Sequence, residues 1–410
     1  MSTLEQNALE YHSAGMPGKI AIQVTKPVAS QEDLSLAYSP GVAVPCIEIN
    51  KNPAAAYEYT AKGNLVGVIT NGTAVLGLGD IGALAGKPVM EGKAVLFKKF
   101  AGIDAFDIEI DETNPEKLVE IIAALHPTFG GINLEDIKAP ECFFVERHLR
   151  ERLSIPVFHD DQHGTAIVVG AGFLNALHLT GRDVSKVKVV CSGAGAAAMA
   201  CLDMLLDLGV PRENVFVCDS RGVLTIDREL TAEKRMWAQK TDAKTLSDAI
   251  VMADVFLGVS GPGLLQPEDV KKMAARPIVF ALANPEPELR PEKVFAVAPD
   301  AIVATGRSDY PNQINNALCF PYLFRAALDS SATTINQQMK RACVEALAEM
   351  ARSDAHFGPE YVVPTLLDKR LLTGVTPKIA TAAHESGVAR KHLDEAVYRA
   401  QLDALAKTLL

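Results

Sequence analysis

Between Gly164 and about Ser330 the chain repeats one pattern: a short β-branched run closed by Gly, Ser, Asn or Asp, followed by a stretch with helical spacing. The runs lie at residues 187–191, 215–219, 254–259, 278–284 and 301–305. Parallel neighbours cannot be joined by a tight turn, so strands alternating with helices predict a parallel, doubly wound sheet. Within it, Gly193-Ala194-Gly195-Ala196-Ala197-Ala198 follows the strand at 186–192 and opens a helix that turns Leu202, Leu205 and Leu206 inward; the next strand ends at Asp219. A dinucleotide fingerprint needs that order. Its glycines let the backbone approach a pyrophosphate at a helix N-terminus, and the later acid reaches the ribose. The alternative is a tight turn needing small residues.

A second glycine motif, Gly77-Leu-Gly79-Asp-Ile-Gly82, matches the same letters, but Ala-Leu-Ala-Gly-Lys-Pro follows where an apolar helix belongs. It reads either as a surface loop or as a substrate loop whose amides meet a carboxylate. Residues 1–163 are less regular and form a separate α/β domain, with one amphipathic helix carrying Leu118, Ile121, Ile122 and Leu125 on one face. After the 164–330 domain, the segment 331–410 carries Val344, Leu347, Ala348 and Ala351 at helical spacing, then Leu393, Val397, Ala400 and Ala404. These helices are expected to pack back on the first domain.

The chain has 410 residues, beyond the ~250–300 at which single cores stop growing, which agrees with more than one domain. No window approaches the ~18 uncharged apolar residues of a membrane span, and no basic-then-apolar signal precedes Lys19, so a cytoplasmic protein is expected. Forty basic against fifty acidic residues give a net charge of −10, without a Lys/Arg block; nucleic acid is disfavoured as a partner. Seven cysteines without a C-x-x-C pair read as buried apolar residues in a reducing compartment and argue against zinc.

Two acidic pairs stand apart. Glu135-Asp136 follows Gly-Gly-Ile-Asn-Leu, and Asp160-Asp161 lies in Val-Phe-His-Asp-Asp-Gln-His-Gly. Hard cations such as Mg²⁺ or Mn²⁺ take oxygen ligands, and three converging carboxylates suffice. The competing readings are a solvated surface pair and, for Asp161, a cap on a helix beginning near Gly164. His159 and His163, lacking a cysteine or third histidine nearby, read as local hydrogen-bonding residues.

With these segments in hand, the sequence resembles the malic enzymes of the compact bacterial type over nearly its whole length. The segments are Ser35-Leu-Ala-Tyr-Ser-Pro-Gly-Val-Ala43, Asn71-Gly-Thr-Ala-Val-Leu-Gly-Leu-Gly-Asp80, Met90-Glu-Gly-Lys-Ala-Val-Leu96, Asn133-Leu-Glu-Asp136, Phe158-His-Asp-Asp-Gln-His-Gly-Thr165, Ser192-Gly-Ala-Gly195, Leu282-Ala-Asn-Pro285 and Tyr310-Pro-Asn-Gln-Ile-Asn-Asn316. The resemblance implies oxidative decarboxylation of malate to pyruvate with NADP or NAD and Mg²⁺ or Mn²⁺, in a homodimer whose partner subunit contributes to the site. It implies Tyr38 as general acid, Lys93 as general base, Asp160 as an auxiliary catalytic group, and Glu135, Asp136 and Asp161 as metal ligands. Asn284 and Asn316 would lie near substrate and nicotinamide. On residue type alone, Tyr38 reads as a packing tyrosine and Lys93 as a solvated lysine.

A lysine base requires a pKa lowered from ~10.4 toward ~7–8. Where larger relatives carry an arginine for a malate carboxylate, this chain has Ala74; Arg307, the asparagines and the Gly-rich loop amides are the candidates to replace it. Asp219-Ser220-Arg221-Gly222 gives mixed cofactor signals, an acid suited to the NAD ribose beside an arginine suited to the NADP 2′-phosphate. NADP is preferred. The rival readings are a metal-independent amino-acid dehydrogenase and a non-catalytic nucleotide-binding regulatory protein.

Overall fold

The computed structural model describes residues 3–409. Two parallel sheets dominate. The first contains β1 (Leu65–Thr70), β2 (Asp104–Glu109), β3 (Gly131–Leu134) and β4 (Val157–His159), in the order β2-β1-β3-β4. The second contains β5 (Val189–Ser192), β6 (Val215–Asp219), β7 (Gly222–Val223), β8 (Val255–Gly258), β9 (Ile278–Ala281) and β10 (Ile302–Thr305). Its order is β10-β9-β8-β5-β6-β7, parallel except for the β7 hairpin edge. Val189 of β5 pairs with Val215 on one side and Val255 on the other. The chain therefore reverses direction across the sheet at β5, and the crevice beyond its carboxyl end is where such sheets take ligands. Each of the five expected strands is present; the second matches its run and the other four are shorter than theirs.

Helix Asp160–Thr180 joins the two sheets, with fourteen of its 21 residues buried. A helix apolar on every side belongs in a core, and one continuous cluster runs from Val66, Phe97 and Phe158 through Ile167 and Phe173 to Val189 and Phe280. The boundary read at residues 163/164 therefore falls inside a helix. That helix begins four residues before Gly164, so Asp161 lies in its first turn and does not cap it.

Several expectations are corrected. Helix Ala83–Ala101 starts directly after Gly82, where no apolar helix was expected. Its inward positions include Ala83, Gly86, Lys93, Ala94 and Ala101, small or charged residues that conceal the period. The loop from β1 to this helix spans residues 71–82, far longer than the tight turn a dinucleotide fingerprint needs. In helix Pro115–Leu125 the buried face is Leu118, Val119, Ile122 and Ala123, with Ile121 exposed. In helix Glu395–Leu409 the buried residues are Tyr398 and Leu402; Val397, Ala400 and Ala404 face outward. Six cysteines are buried and Cys46 is exposed. No described helix is long and apolar enough to cross a membrane.

The C-terminal helices pack in two directions. Gln337–Arg352 lies on the central helix, where Asn175 Nδ2 donates to the Ala348 carbonyl at 3.0 Å, whereas Phe320–Asp329 and Glu395–Leu409 pack on Ala83–Ala101. Phe97 is the joint, its ring centroid 4.8 Å from Phe320 and 5.3 Å from Phe324. Phe97→Ala is expected to cost about 3–5 kcal/mol of unfolding free energy, read as a lower urea midpoint by circular dichroism. A loss below about 1 kcal/mol would remove Phe97 as the joint.

Candidate active site

Glu135 and Asp136 directly follow β3, and Asp160 and Asp161 directly follow β4, so all four acids project from the carboxyl edge of the first sheet. Lys93, from the middle of helix Ala83–Ala101, reaches the same edge. Its Nζ lies 2.5 Å from Asp160 Oδ2 and 3.0 Å from Glu135 Oε1, and 4.7 Å from the centre of the Phe320 ring. Asn133 Nδ2 donates to the other Glu135 oxygen at 2.9 Å, and the Asp136 amide donates to Asp161 Oδ2 at 2.8 Å. Asp136 has φ +54°, a left-handed conformation uncommon outside glycine. A Cβ at Gly164 would lie 2.0 Å from Asp160 Oδ1 and 2.8 Å from Asn316 Cβ; only glycine lets Asp160 turn toward Lys93 here. Residue type alone misplaces both catalytic candidates: Lys93 is 9% exposed and Tyr38 71%.

Carboxylate oxygens of Glu135, Asp136 and Asp161 lie within 4.8 Å of one another, the one such ligand-type group among the described residues. Asp136 Oδ2 is buried without a hydrogen-bond partner. Converging oxygen donors with one left unsatisfied fit a hard divalent cation. Electrostatics agree. Burial pushes Glu135 and Asp160 up to about 7 and Asp136 up to about 9, and raises Asp161. Burial alone would depress Lys93, but Asp160, Glu135 and Asp161 outweigh it and hold the ammonium well above its ordinary range. The lowered lysine pKa that the chemistry requires is therefore not supplied by these protein groups alone. One ammonium cannot balance three buried acids and the half-buried Asp161, a surplus of negative charge that a cation would neutralise.

A cavity of about 570 Å³ joins these groups to the second domain. Lys93, Glu135, Asp136 and Asp161 line it together with Asn284, Asn316 and Ala196. Ala196 begins helix Ala196–Asp207, whose N-cap Gly195 offers no side-chain cap and leaves the first amides open to an anion. Gly193 has φ +124° and passes so close to Val259 that a Cβ would lie 2.5 Å from its carbonyl oxygen. With Ala194 and Ala197 these residues form the predicted loop at the β5 crevice. Tyr38, at the end of helix Gln31–Ala37, does not line the cavity.

At the end of β6, Asp219 is already occupied. Arg228 Nη2 lies 2.8 and 2.9 Å from its two oxygens, Lys234 Nζ lies 3.0 Å from Oδ2, and the Arg221 amide donates at 2.9 Å. The Arg221 guanidinium reaches only the Glu229 carbonyl, at 3.2 Å; Ser220 is the intervening turn residue. Arg307 is likewise committed, to Asp309, Glu286 and the Pro285 carbonyl, which removes it as a free carboxylate anchor. His163 bonds Glu146 at 2.8 Å as expected, whereas His159 is 3.8 Å from Asp161, beyond hydrogen-bond reach. The sequence reading missed Arg228, Lys234, Asn315, Thr165 and Lys138, the last three on the cavity wall. The position of Lys138, two residues after Asp136, was the available signal.

The chain is similar to known proteins over nearly its whole length. The family model "Malic enzyme, N-terminal domain" matches residues 17–119, and "Malic enzyme, NAD binding domain" matches residues 162–388. The chain is 59% identical to the NADP-dependent malic enzyme of Escherichia coli over 95% of its own length and 53% of that protein's. It is 55% identical to the NAD-dependent malic enzyme of Rhizobium meliloti, over 98% and 54%. It spans about half the length of these curated relatives. The crystal structure of malic enzyme from Pyrococcus horikoshii superposes with a TM-score of 0.93 at 44% identity, covering 99% of this chain and 96% of that one. Two domain matches in chain order and this degree of identity make the chain a member of the malic enzyme family.

Proposed function

We propose that this chain carries out the divalent-metal-dependent oxidative decarboxylation of (S)-malate to pyruvate and carbon dioxide, with reduction of NADP. The observation that carries the reading is the single cavity in which three metal-suited carboxylates, Lys93 and the dinucleotide loop meet. On this reading residues 1–163 hold substrate and metal, 164–330 hold the cofactor, and 331–410 brace both. The free, mostly buried cysteines fit a cytoplasmic enzyme.

Glu135, Asp136 and Asp161 would hold Mg²⁺ or Mn²⁺, and the ion would supply Lewis-acid stabilisation of negative charge on the substrate oxygen. The nicotinamide would accept the hydride. Lys93 takes the malate hydroxyl proton and can pass it to Asp160, its partner at 2.5 Å. Neutralising the acids that hold Lys93 protonated is what frees it to act as a base. Asn284 and Asn316 orient the substrate and nicotinamide from the far wall. After carbon dioxide leaves, the enolate carbon needs a proton, and Tyr38 delivers it.

Tyr38 must then come from a second copy. Among the described residues 3–60 none is buried, although Leu34, Leu36, Tyr38, Val44 and Ile47 lie there. An apolar surface this extensive marks an interface, and an isologous homodimer would bring each Tyr38 to the partner's cavity.

The NADP preference rests on charge. With Asp219 neutralised by Arg228 and Lys234, the acid that would repel a 2′-phosphate is screened, and Arg221 is left to meet one.

Three measurements test the reading. Malate-dependent NADP reduction should vanish in chelator and return with Mg²⁺ or Mn²⁺, and Asp161→Asn should raise the half-saturating metal concentration at least ~10-fold; full activity in excess chelator sinks it. Randomly assembled mixtures of Tyr38→Phe and Lys93→Ala chains, each inactive alone, should recover about a quarter of the parent activity, because one site in each hybrid dimer is intact. No recovery would place both residues in one subunit's site. Arg221→Ala should raise the KM for NADP at least ~10-fold while leaving NAD nearly unchanged. An equal effect on both cofactors would remove Arg221 as the phosphate contact.

A further inference from the structure

The sequence has Ala74 where the resemblance expects an arginine to hold a malate carboxylate, and the structure places another cation beside that gap. The Ala74 amide donates to the Asp136 carbonyl at 3.0 Å, and the Lys138 amide donates to Thr73 Oγ1 at 3.0 Å. Residues 73–74 and 136–138 are thus fastened side by side, and Ala74 and Lys138 line the same cavity. We propose that Lys138 binds a carboxylate of malate, supplying from the turn after β3 the positive charge that Ala74 lacks. This rests on the malate reading above and names the residue that recognises the substrate.

Three facts favour Lys138 over other candidates. Its ammonium makes no hydrogen bond among the described residues; its nearest acid is Asp80, at 3.7 Å, and its side chain is 43% exposed. It is therefore held only by one long, solvent-exposed ion pair, and is reachable. Lys93, the other cation lining the cavity, is held by Asp160 and Glu135, and Arg307 is tied to Asp309 and Glu286. The cavity also needs it, because Glu135, Asp136 and Asp161 oppose a dicarboxylate that a single bound cation meets at only one end. A charge-assisted hydrogen bond to an ammonium is stronger than a neutral one, so the asparagines on the opposite wall do not substitute for it. Unlike arginine, lysine acts as a compact point charge on a flexible stem. The expected role is attraction and orientation of one carboxylate without bidentate geometry.

The test compares the KM for malate with the inhibition constants of its two monoamides, each lacking one carboxylate charge, at saturating Mg²⁺ and NADP. Lys138→Ala should raise the KM for malate ~10-fold or more and leave the KM for NADP and the metal requirement unchanged. The parent's preference for malate over one of the monoamides should fall by the same factor, and Lys138→Arg should restore both. A merely structural role would weaken malate and monoamide alike. An unchanged KM for malate, or an equal weakening of all three ligands, overturns the assignment while leaving the malate reading intact. A parent enzyme that does not oxidise malate under these conditions overturns both.

Discussion

An ammonium buried among four carboxylates organises this molecule. Taking such charges out of water is costly, and a buried ion pair seldom repays its desolvation, so the Lys93 cluster is not there to stabilise the fold. It exists only because three elements meet at one point: the middle of helix Ala83–Ala101 brings Lys93, the end of β3 brings Glu135 and Asp136, and the end of β4 brings Asp160 and Asp161. The excess of acid over base leaves buried oxygens without partners, as at Asp136. A dication would resolve that imbalance, and strongly perturbed acids of this kind mark a candidate functional site.

The same cluster sets the geometry between the two sheets. The helix that starts at Asp160 continues as the buried core helix of the second half, packed against helix Ala196–Asp207 behind the dinucleotide loop. Carboxylates at one end and a loop seated against the other side of that helix are thus parts of one close-packed body, and interiors packed at this density transmit position faithfully. Gly164 holds this arrangement together at its tightest point, where Asp160, the helix backbone and Asn316 meet without room for a methyl group.

How much of this the sequence disclosed depended on whether the responsible interactions were local. The strands of the second sheet were legible because strands buried on both faces read as β-branched runs, and the loop at Gly193 because its backbone needs leave letters in fixed order. Helix Ala83–Ala101 was not, because Ala, Gly and Lys interrupt the apolar spacing of Met90 and Phe97 on its inward face. The faces of Pro115–Leu125 and Glu395–Leu409 were misjudged for a related reason: several alternative stripes are apolar, and only the neighbouring element selects one. Lys93 could not be recognised as buried from its type, since the acids that make burial tolerable lie 42 and more residues away in the chain. Tyr38 was legible only as a family residue, and its exposure runs against the packing role that its residue type suggests.

Asp219 and Lys138 illustrate the same limit in the electrostatics. Read along the chain, Asp219 is an acid beside one arginine, and its balance is ambiguous; in space Arg228 and Lys234 fold back across the hairpin and cancel it. Read along the chain, Ala74 is a missing arginine; in space a lysine stands beside the vacancy. A chain with a net charge of −10 offers little long-range attraction to a dicarboxylate or a phosphorylated dinucleotide, but charges separated by more than ~8 Å are largely screened at physiological ionic strength. What an anionic ligand meets is the local sign of the wall it touches. At the end of β6 that sign is set by pairing, because Asp219 is already neutralised by Arg228 and Lys234.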